Sequence, residues 1–468
     1  MKIYETMSRT LRDVLPMDGQ TFRFYCCGPT VYGPAHIGNF RTFAVQDTFR
    51  RVLELSGLPT RHVRNLTDVD DKTIRQSQVE GKSLRAFTDF WRDKFHADCA
   101  ALNLLTPHVE PSAVTHIPQQ IDMIRQLITG GHAYQAADGS VYFKIASFPG
   151  YGRLSRLDTR ELKFGAAVDS DEYEKEGIAD FVLWKARKPE DGPNFWPSPW
   201  GEGRPGWHLE CSAMTREYLG DTFDLHSGGV DLVFPHHENE IAQSECCTGK
   251  EFSRLWFHVN HLVVEGRKMS KSIGNLYTLD DLATRGYPPI VVRYALLSGH
   301  YRTPLNFTFA SLDAAKSALE KIARTETALA ERAGFPAQLQ YDSLRGLTDF
   351  GPFASAFDAL LEDLNTPEAL GRLFAALNRL KVGSLSPLDS QTAWRGLHGV
   401  LAALGLDLPS LPSETPSAVP PEIQALAQRR WDAKLAKNWD EADALRRQLS
   451  ALGWTIKDGK DGFEVAKA

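Results

Sequence analysis

The stretch FRFYCCGPTVYGPAHIGN, residues 22–39, predicts a β-strand, a Gly/Pro-rich turn and the first residues of an α-helix in direct succession. The helix is expected to run from about Gly38 to Leu55, because apolar residues recur along one face of it. A helix N-terminus presents unbonded backbone N–H groups and the positive end of the helix dipole, and both attract a phosphate. The segment therefore predicts one half of a nucleotide site.

A second strand is expected from about Thr60 to Leu66, so that residues from about 20 to 72 form a strand–helix–strand unit. This βαβ pattern is typical of an α/β fold with a doubly wound, Rossmann-like parallel sheet. In such sheets, ligands bind at the carboxyl ends of the strands. Thr67, at the end of the second strand, is therefore expected near the ligand.

The other half of the nucleotide site is predicted far downstream, at Lys268-Met269-Ser270-Lys271-Ser272. Gly266 and Gly274 flank these residues, and glycines at both ends suit a mobile loop. Two lysines on such a loop can close over the phosphates from the side opposite the helix.

The pair His36-Ile37-Gly38-Asn39 and Lys268–Ser272 resembles the two signatures of class I aminoacyl-tRNA synthetases, usually written HIGH and KMSKS. The second signature matches fully, whereas the first has Asn39 in place of its last histidine. Asparagine can donate a hydrogen bond to a phosphate oxygen but carries no charge. Asn39 in place of histidine therefore affects how much this position contributes to the reaction rate more than whether it binds phosphate.

Cys27, Cys211, His236 and Glu240 form a plausible zinc set, although they are distant in sequence. Pro235 suits the first turn of a helix, and residues four apart on a helix share a face, so His236 and Glu240 are expected to point the same way. Spacing alone does not establish a metal. Buried thiols and a helix-capping histidine are the alternative.

Longer matching stretches resemble one family of this class, the cysteinyl-tRNA synthetases, over nearly the whole chain. The stretches that carry the resemblance are Cys27–Tyr32, Arg64–Lys72, Trp207–Met214, His226–Leu232 and Phe234–Ala242. The resemblance implies that Cys27, Cys211, His236 and Glu240 hold one Zn²⁺ per chain, which binds the substrate. It further implies that Thr67, Trp207 and His226 lie beside the cysteine pocket, and that Gly229 and Asp231 lie near the adenylate ribose.

A zinc site suits the discrimination of cysteine from serine and alanine, because zinc takes thiolate as a ligand and binds alcohols weakly. The expected reaction activates L-cysteine with ATP and Mg²⁺, then transfers it to the 3′ end of tRNA(Cys). His36, Gly38 and Asn39 are expected to bind the triphosphate, and Lys268 and Lys271 to neutralise charge developing on it. Lys271 is the stronger candidate of the two lysines.

Four segments are expected along the chain. They are residues 1–308, a helical bundle over 309–405, a Pro-rich linker over 406–421, and a small α+β module over 422–468. The resemblance implies that residues 1–308 are a catalytic domain with a connective insertion at about 100–206, that the bundle lies beside the tRNA, and that the small module binds the anticodon. In the bundle, leucines and Phe374 recur at helical spacing. Residues 151–206 are rich in Pro, Gly and Trp and are expected to be irregular. In the module, Arg430, Lys434 and Lys437 predict a basic stripe, and Asp458–Gly462 predicts a hairpin turn.

The composition is that of a globular protein of 468 residues, with 42% hydrophobic and 24% charged residues. The net charge of −6 argues against general nucleic-acid affinity but does not exclude tRNA. No apolar run approaches the roughly 20 residues that span a bilayer, and the start has no signal-peptide core, so a cytoplasmic location is expected. Besides Cys27 and Cys211, the cysteines are expected to be free buried thiols, and the family implies a monomer.

Three alternatives share parts of this pattern. A ligase that joins cysteine to an amino-sugar resembles the same catalytic half but does not need the bundle and the terminal module. A zinc metalloprotease would need a histidine at position 241, where Ile241 stands. A tRNA-binding paralogue without catalysis would not need Lys268, Lys271 and all four metal candidates.

Overall fold

The computed structural model describes residues 1–157, 167–168, 180–270, 273–334, 341–408, 420–459 and 462–467. The chain forms two compact units, Met1–Ser410 and Leu411–Ala468. None of the helices in the described ranges is both long and apolar enough to cross a membrane.

The first unit opens with a hairpin and continues as alternating strands and helices. Its first elements are β1 (Lys2–Glu5), β2 (Thr10–Asp13), β3 (Phe22–Cys26), α1 (Ile37–Leu55), β4 (Thr60–Arg64), α2 (Asp71–Val79), α3 (Leu84–Ala101) and α4 (Ile117–Thr129). The predicted strand–helix–strand unit is thus confirmed, to within two residues at each boundary. The helix α1 is buried on nearly every side, including all of its charged residues.

The middle of the unit holds a second, mainly antiparallel sheet. Its strands are β5 (Ala133–Gln135), β6 (Val141–Phe143), β7 (Ala167–Val168), β8 (Asp180–Ala186) and β9 (Gly203–Pro205). The expectation of an irregular segment was wrong for residues 180–186 and 203–205, because the buried strand β8 pairs with β6 on one side and β9 on the other. Trp184 and Leu183 of β8 are fully buried in the core that this sheet shares with α4 and α5 (Trp207–Leu219).

The chain then returns to the first sheet and reaches the lysine loop. The elements after α5 are β10 (Phe223–Gly229), α6 (Glu238–Thr248), β11 (Ser253–Val259), β12 (Leu262–Val264), β13 (Arg267–Lys268), α7 (Leu279–Ala283), α8 (Pro289–Leu297) and β14 (Leu305–Phe307). The main sheet has the order β11-β10-β3-β4 and is parallel throughout. The doubly wound fold class is therefore confirmed, and the carboxyl ends of these strands share one edge.

The rest of the first unit is helical, as the spacing of apolar residues predicted. It comprises α9 (Phe309–Ala333), α10 (Ala354–Leu361), α11 (Thr366–Arg379) and α12 (Pro387–Leu404). In α12, Gly396 and Gly399 allow the backbone and ring of Phe350 to approach closely.

The second unit packs two helices on a hairpin: α13 (Pro421–Leu435), α14 (Trp439–Ala451), β15 (Trp454–Asp458) and β16 (Phe463–Lys467). The strands β15 and β16 pair in antiparallel fashion, which confirms the predicted hairpin. The expected basic stripe was wrong for Arg430, which is buried and bonded to Asp458. The Arg430 and Lys434 side chains hold the pKa of Asp458 down, at about 2.

We expect Gly396→Ala to destabilise the bundle by roughly 1–3 kcal/mol, because the added methyl would overpack the helix contact. A Cβ at that position would lie 2.0 Å from the carbonyl oxygen of Phe350. The matched control is Gly371→Ala in α11, where a Cβ meets nothing within 4 Å. That change is expected to raise stability by up to about 1 kcal/mol, because alanine is the better helix former. Thermal unfolding of both variants measures the two effects, and equal shifts of one sign would contradict the contact.

Candidate functional site

Four sequence-predicted residues lie at the carboxyl edge of the parallel sheet. Cys27 directly follows β3, and its backbone N–H donates to the Ser227 carbonyl at 3.0 Å. Thr67 follows β4, Gly229 ends β10, and Asp231 lies in the turn after it. This is the edge where ligands bind in doubly wound sheets.

The predicted metal set converges at this edge. The side-chain ligand atoms of Cys27, Cys211, His236 and Glu240 lie within 4.8 Å of one another, and all four residues are buried. His236 Nε2 lies 3.5 Å from the Cys211 Sγ and 3.0 Å from the Glu240 Oε1. The prediction that His236 and Glu240 face the same way is confirmed, although α6 begins only at Glu238 and a wider turn over Val233–His237 precedes it.

A second set shares two of these residues and was missed from the sequence. It consists of Cys27, His226, His237 and Glu240, again within 4.8 Å and buried. His237 Nε2 lies 3.3 Å from the Cys27 Sγ, and His226 Nε2 lies 2.8 Å from the Glu240 Oε2. The adjacent histidines His236 and His237 could have indicated this second set. The helical spacing to Glu240 favoured His236 alone.

The donor chemistry of the first set fits zinc. Two thiols, an imidazole and a carboxylate are ligands that Zn²⁺ accepts in tetrahedral sites. Bonds of about 2.0–2.3 Å place tetrahedral donors roughly 3.3–3.8 Å apart, and small adjustments of the present spacings reach those values. The second set offers one thiol and two imidazoles, and His237 already bonds His258 through its other ring nitrogen at 2.8 Å.

The charges of the cluster are strongly coupled. Burial opposes ionisation of the Cys211 thiol. A hydrogen bond from the Cys27 thiol and the nearby His236 nevertheless lower the pKa of Cys211 to about 6. Burial raises the pKa of the Cys27 thiol well above its usual value. Burial disfavours the charged form of His236, yet Glu240 and Cys211 raise its pKa to about 10. The Cys211 thiol and the Glu240 carboxylate thus bring negative charge to the point where a cation would lie.

Aromatic rings and a buried acid surround the cluster. The half-buried Trp207 ring stacks on His236 with centroids 4.2 Å apart. His226 stacks on Trp256 at 4.7 Å and is fully buried behind Glu240. Thr67 donates its hydroxyl to Glu210 at 2.9 Å.

The sequence did not predict Glu210 as a site residue, because the pattern of zinc ligands pointed to its neighbour Cys211. Burial, together with the nearby Cys211, raises the pKa of its carboxyl well above the usual range. Within the described residues, its Oε1 has no hydrogen-bond partner.

The helix signature forms a capping box at the start of α1. The Asn39 N–H donates to His36 Nδ1 at 3.3 Å, and the His36 N–H donates to the Asn39 Oδ1 at 3.1 Å. Because Oδ1 faces the backbone, the Asn39 amide NH₂ is the part left to face outward. Phosphate binding at this helix end stays a prediction.

The beginning of the lysine loop lies against this helix end. A Cβ on Gly38 would be 3.3 Å from the Met269 sulfur, so glycine permits the approach. Further along, the Ile37 N–H donates to the Tyr277 carbonyl at 2.9 Å. Asn275 holds the loop together through the Ser270 N–H and the Lys268 carbonyl. Lys268 is exposed on β13, whereas Lys271 lies outside the described residues.

A parallel nucleotide-binding sheet, a capped helix end and a lysine loop against it define a class I aminoacyl-tRNA synthetase. A family model described as tRNA synthetases class I (C) catalytic domain matches residues 14–317, and the Cysteinyl-tRNA ligase anticodon binding domain matches residues 417–465. The chain belongs to the cysteine–tRNA ligase family.

Two relatives and two solved structures illustrate the relationship. The cysteine–tRNA ligase of Opitutus terrae is 54% identical, with 100% of this chain and 99% of that protein aligned. The one from Chlamydia muridarum is 42% identical, covering 99% of each chain.

Among solved structures, Mycobacterium tuberculosis methionyl-tRNA synthetase with methionyl-adenylate has a TM-score of 0.57 at 14% identity, covering 82% of this chain and 90% of that one. A ternary LeuRS–tRNA complex from Agrobacterium radiobacter has a TM-score of 0.58 at 13% identity, covering 84% of each chain. The likeness to both structures is one of fold.

Proposed function

We propose that this chain activates L-cysteine with ATP to form cysteinyl-adenylate and then transfers the cysteinyl group to the 3′ end of tRNA(Cys). The observation that carries the proposal is the buried Cys27–Cys211–His236–Glu240 cluster, which lies in the same domain as a helix signature and a lysine loop. The full-length relatives named cysteine–tRNA ligase support it. The domain match over residues 417–465 favours it over an amino-sugar ligase, which needs no anticodon reader.

The cluster is the proposed zinc site, with one Zn²⁺ per chain. Cys27, Cys211, His236 and Glu240 would hold the ion, because this set contains both thiols and lies beside the half-buried Trp207. A zinc ion there supplies a soft, charged contact that a thiolate satisfies and a hydroxyl or methyl group does not. His226 would orient the Glu240 carboxylate through its 2.8 Å hydrogen bond, as residues behind metal ligands commonly do.

The remaining pocket residues would shape the space around the substrate. Trp207 would place its ring edge beside the cysteine side chain, and its stacking on His236 would fix the ring plane. Thr67 would limit the depth of the pocket, and its bond to Glu210 orients its hydroxyl. Gly229 and Asp231, at the end of β10, would face the adenylate ribose.

In the activation step, the cysteine carboxylate attacks the α-phosphate of ATP and pyrophosphate leaves. This reaction depends on alignment and on stabilisation of phosphate charge. His36 and Asn39 at the N-terminus of α1 would bind the triphosphate, and Gly38 would let it come close to the backbone. Lys268 and Lys271 would neutralise charge from the other side, and Mg²⁺ would accompany ATP.

The other segments would bind tRNA. We assign residues 1–308 to catalysis, with the insertion at about 100–206, and residues 309–405 to the tRNA stem. The linker over 406–421 would connect them to the anticodon reader over 422–468, in a monomeric, cytoplasmic enzyme. Exposed Trp439 on α14 offers a ring for an unpaired base.

Cys27→Ser is expected to lower bound zinc from one ion per chain and to raise the KM for cysteine at least about tenfold, because a ligand is lost. The matched control is Cys26→Ser, since the neighbouring side chain points to the opposite face of β3. Elemental analysis after gel filtration measures zinc, and ATP–pyrophosphate exchange measures KM. Equal zinc loss in both variants would contradict the assigned ligands.

Asn39→Asp separates the capping role from the phosphate role of this side chain. The carboxylate still accepts the His36 N–H and is favoured at a helix N-terminus, so the melting temperature is expected to stay the same or rise. Exchange activity is expected to fall about 100-fold, because an anion replaces the NH₂ donor facing the triphosphate. If the Asn39→Asp enzyme is both stable and fully active, Asn39 caps the helix and has no role in binding phosphate.

Deletion of residues 422–468 is expected to preserve ATP–pyrophosphate exchange. Charging of full-length tRNA(Cys) should fall by about 100-fold or more, because base stacking contributes roughly 1–3 kcal/mol per base. A minihelix with only the acceptor stem serves as the control substrate, and intact and shortened enzymes should charge it equally. Loss of exchange in the shortened enzyme would show that the module is not a separable reader.

A further inference from the structure

Arg41 is a buried cation whose role the proposed reaction does not explain. It lies on α1, two residues after the helix signature, and only 1% of its surface is exposed. Burial lowers its pKa to about 10, so it keeps its proton at neutral pH. A buried charge costs free energy unless hydrogen bonds compensate it, and an apolar side chain could fill the same space.

Every hydrogen bond of the Arg41 guanidinium in the described part of the chain goes to a backbone carbonyl. Its Nε donates to Asn260 at 3.0 Å, and one Nη donates to Thr303 at 2.8 Å and to His300 at 3.1 Å. The other Nη lies 3.5 Å from the Leu296 carbonyl, near the C-terminal end of α8, where the helix dipole favours a cation. Backbone carbonyls cannot move by changing a side-chain rotamer. The Arg41 guanidinium therefore fixes the position of the backbone that it bonds.

These carbonyls belong to the segments that support the lysine loop. Asn260 directly follows β11 and lies two residues before β12, and Thr303 lies two residues before β14. The two strands run in parallel, with Leu262 opposite Leu305. On its other side, β12 pairs with β13, which leads into the loop through Lys268. Arg41 therefore attaches the base of the lysine loop to the helix that starts at His36.

The far side of the loop is attached to the same helix separately, through the hydrogen bond from Ile37 to Tyr277. Together, the Arg41 bonds and the Ile37–Tyr277 bond would set the distance between the helix signature and the lysines of the loop. A misplacement of about 1 Å in such a site can cost roughly 100-fold in rate.

We propose that Arg41 is a positioning residue for the activation step, which holds the base of the lysine loop at its working distance from the phosphate-binding end of α1. The proposal rests on the proposed roles of the helix signature and the loop. Arg41 acts through the carbonyls of Asn260 and Thr303 and does not touch ATP.

The test compares Arg41→Lys with Arg293→Lys. Lysine keeps the charge but cannot bond both segments at once, because it lacks the planar fork. Arg293 is equally buried and also bonds backbone carbonyls, those of Leu102, Asn103 and Leu404, but none in the loop's sheet. ATP–pyrophosphate exchange is measured at a temperature where circular dichroism shows both variants folded, and rates are divided by the titrated active-site concentration.

For Arg41→Lys, we expect the kcat of exchange to fall about 10- to 100-fold and the KM for ATP to rise, with the KM for cysteine unchanged. For Arg293→Lys, we expect both KM values and the kcat to stay within about threefold of the wild type. A purely structural role would lower the active fraction of Arg41→Lys without moving the KM for ATP, and that result would overturn the proposal. Failure of both Arg41→Lys and Arg41→Gln to fold, with Arg293→Lys folded, would overturn it as well.

Lys268→Ala and Lys271→Ala in the same assay separate this proposal from the one on which it rests. Normal exchange by both of these variants would remove the loop from the reaction, and the role of Arg41 would fall with it. A defect in either lysine variant together with normal Arg41→Lys would overturn the positioning role alone.

Discussion

The parallel pairing of β3 with β10 is the constraint on which the metal candidates depend. The pairing places Cys26 opposite Ser227, and the next N–H, that of Cys27, donates to the Ser227 carbonyl. Strand alternation then selects between two adjacent thiols, because a slip of one residue would turn Cys27 away and present Cys26 instead. The selected thiol meets Glu240 and His236 only because β10 and α6, more than 190 residues later in the chain, return to the same edge.

The cluster at this edge costs folding free energy, because its ionisable groups are buried together. Thiols, imidazoles and a carboxylate are all buried there, and burial alone disfavours each of their charged forms. Mutual hydrogen bonds offset part of this cost, as the depressed pKa of Glu240, at about 2 beside His226 and His236, indicates. A metal that satisfies all four groups would stabilise the folded chain, so binding and local stability are coupled.

Helix α1 connects this edge to the remainder of the first unit. Its N-terminus is capped and half-buried, and its body is buried, with charged side chains that bond one another and other segments. Arg41 bonds the segments around the lysine loop, whereas Asp47 bonds Arg293, which reaches the end of the bundle helix α12 at Leu404. Buried polar contacts of this kind favour one arrangement over near alternatives, because each unpaired group would remain costly.

The sequence by itself determined the β3–turn–α1 unit, the parallel α/β class, the four metal candidates and the terminal hairpin. The strands, the helix and the hairpin rest on local signals, which are strand and helix periodicity and turn glycines. The metal candidates rest on residue type and on the family resemblance. Only the tertiary structure decided the partners of distant groups. It turned Arg430 inward to Asp458, added His237 and Glu210 to the site, and built β8 into a sheet with strands of two or three residues. Such contacts join residues far apart in the chain, and their energies depend on burial and on which strands meet, which no local pattern records.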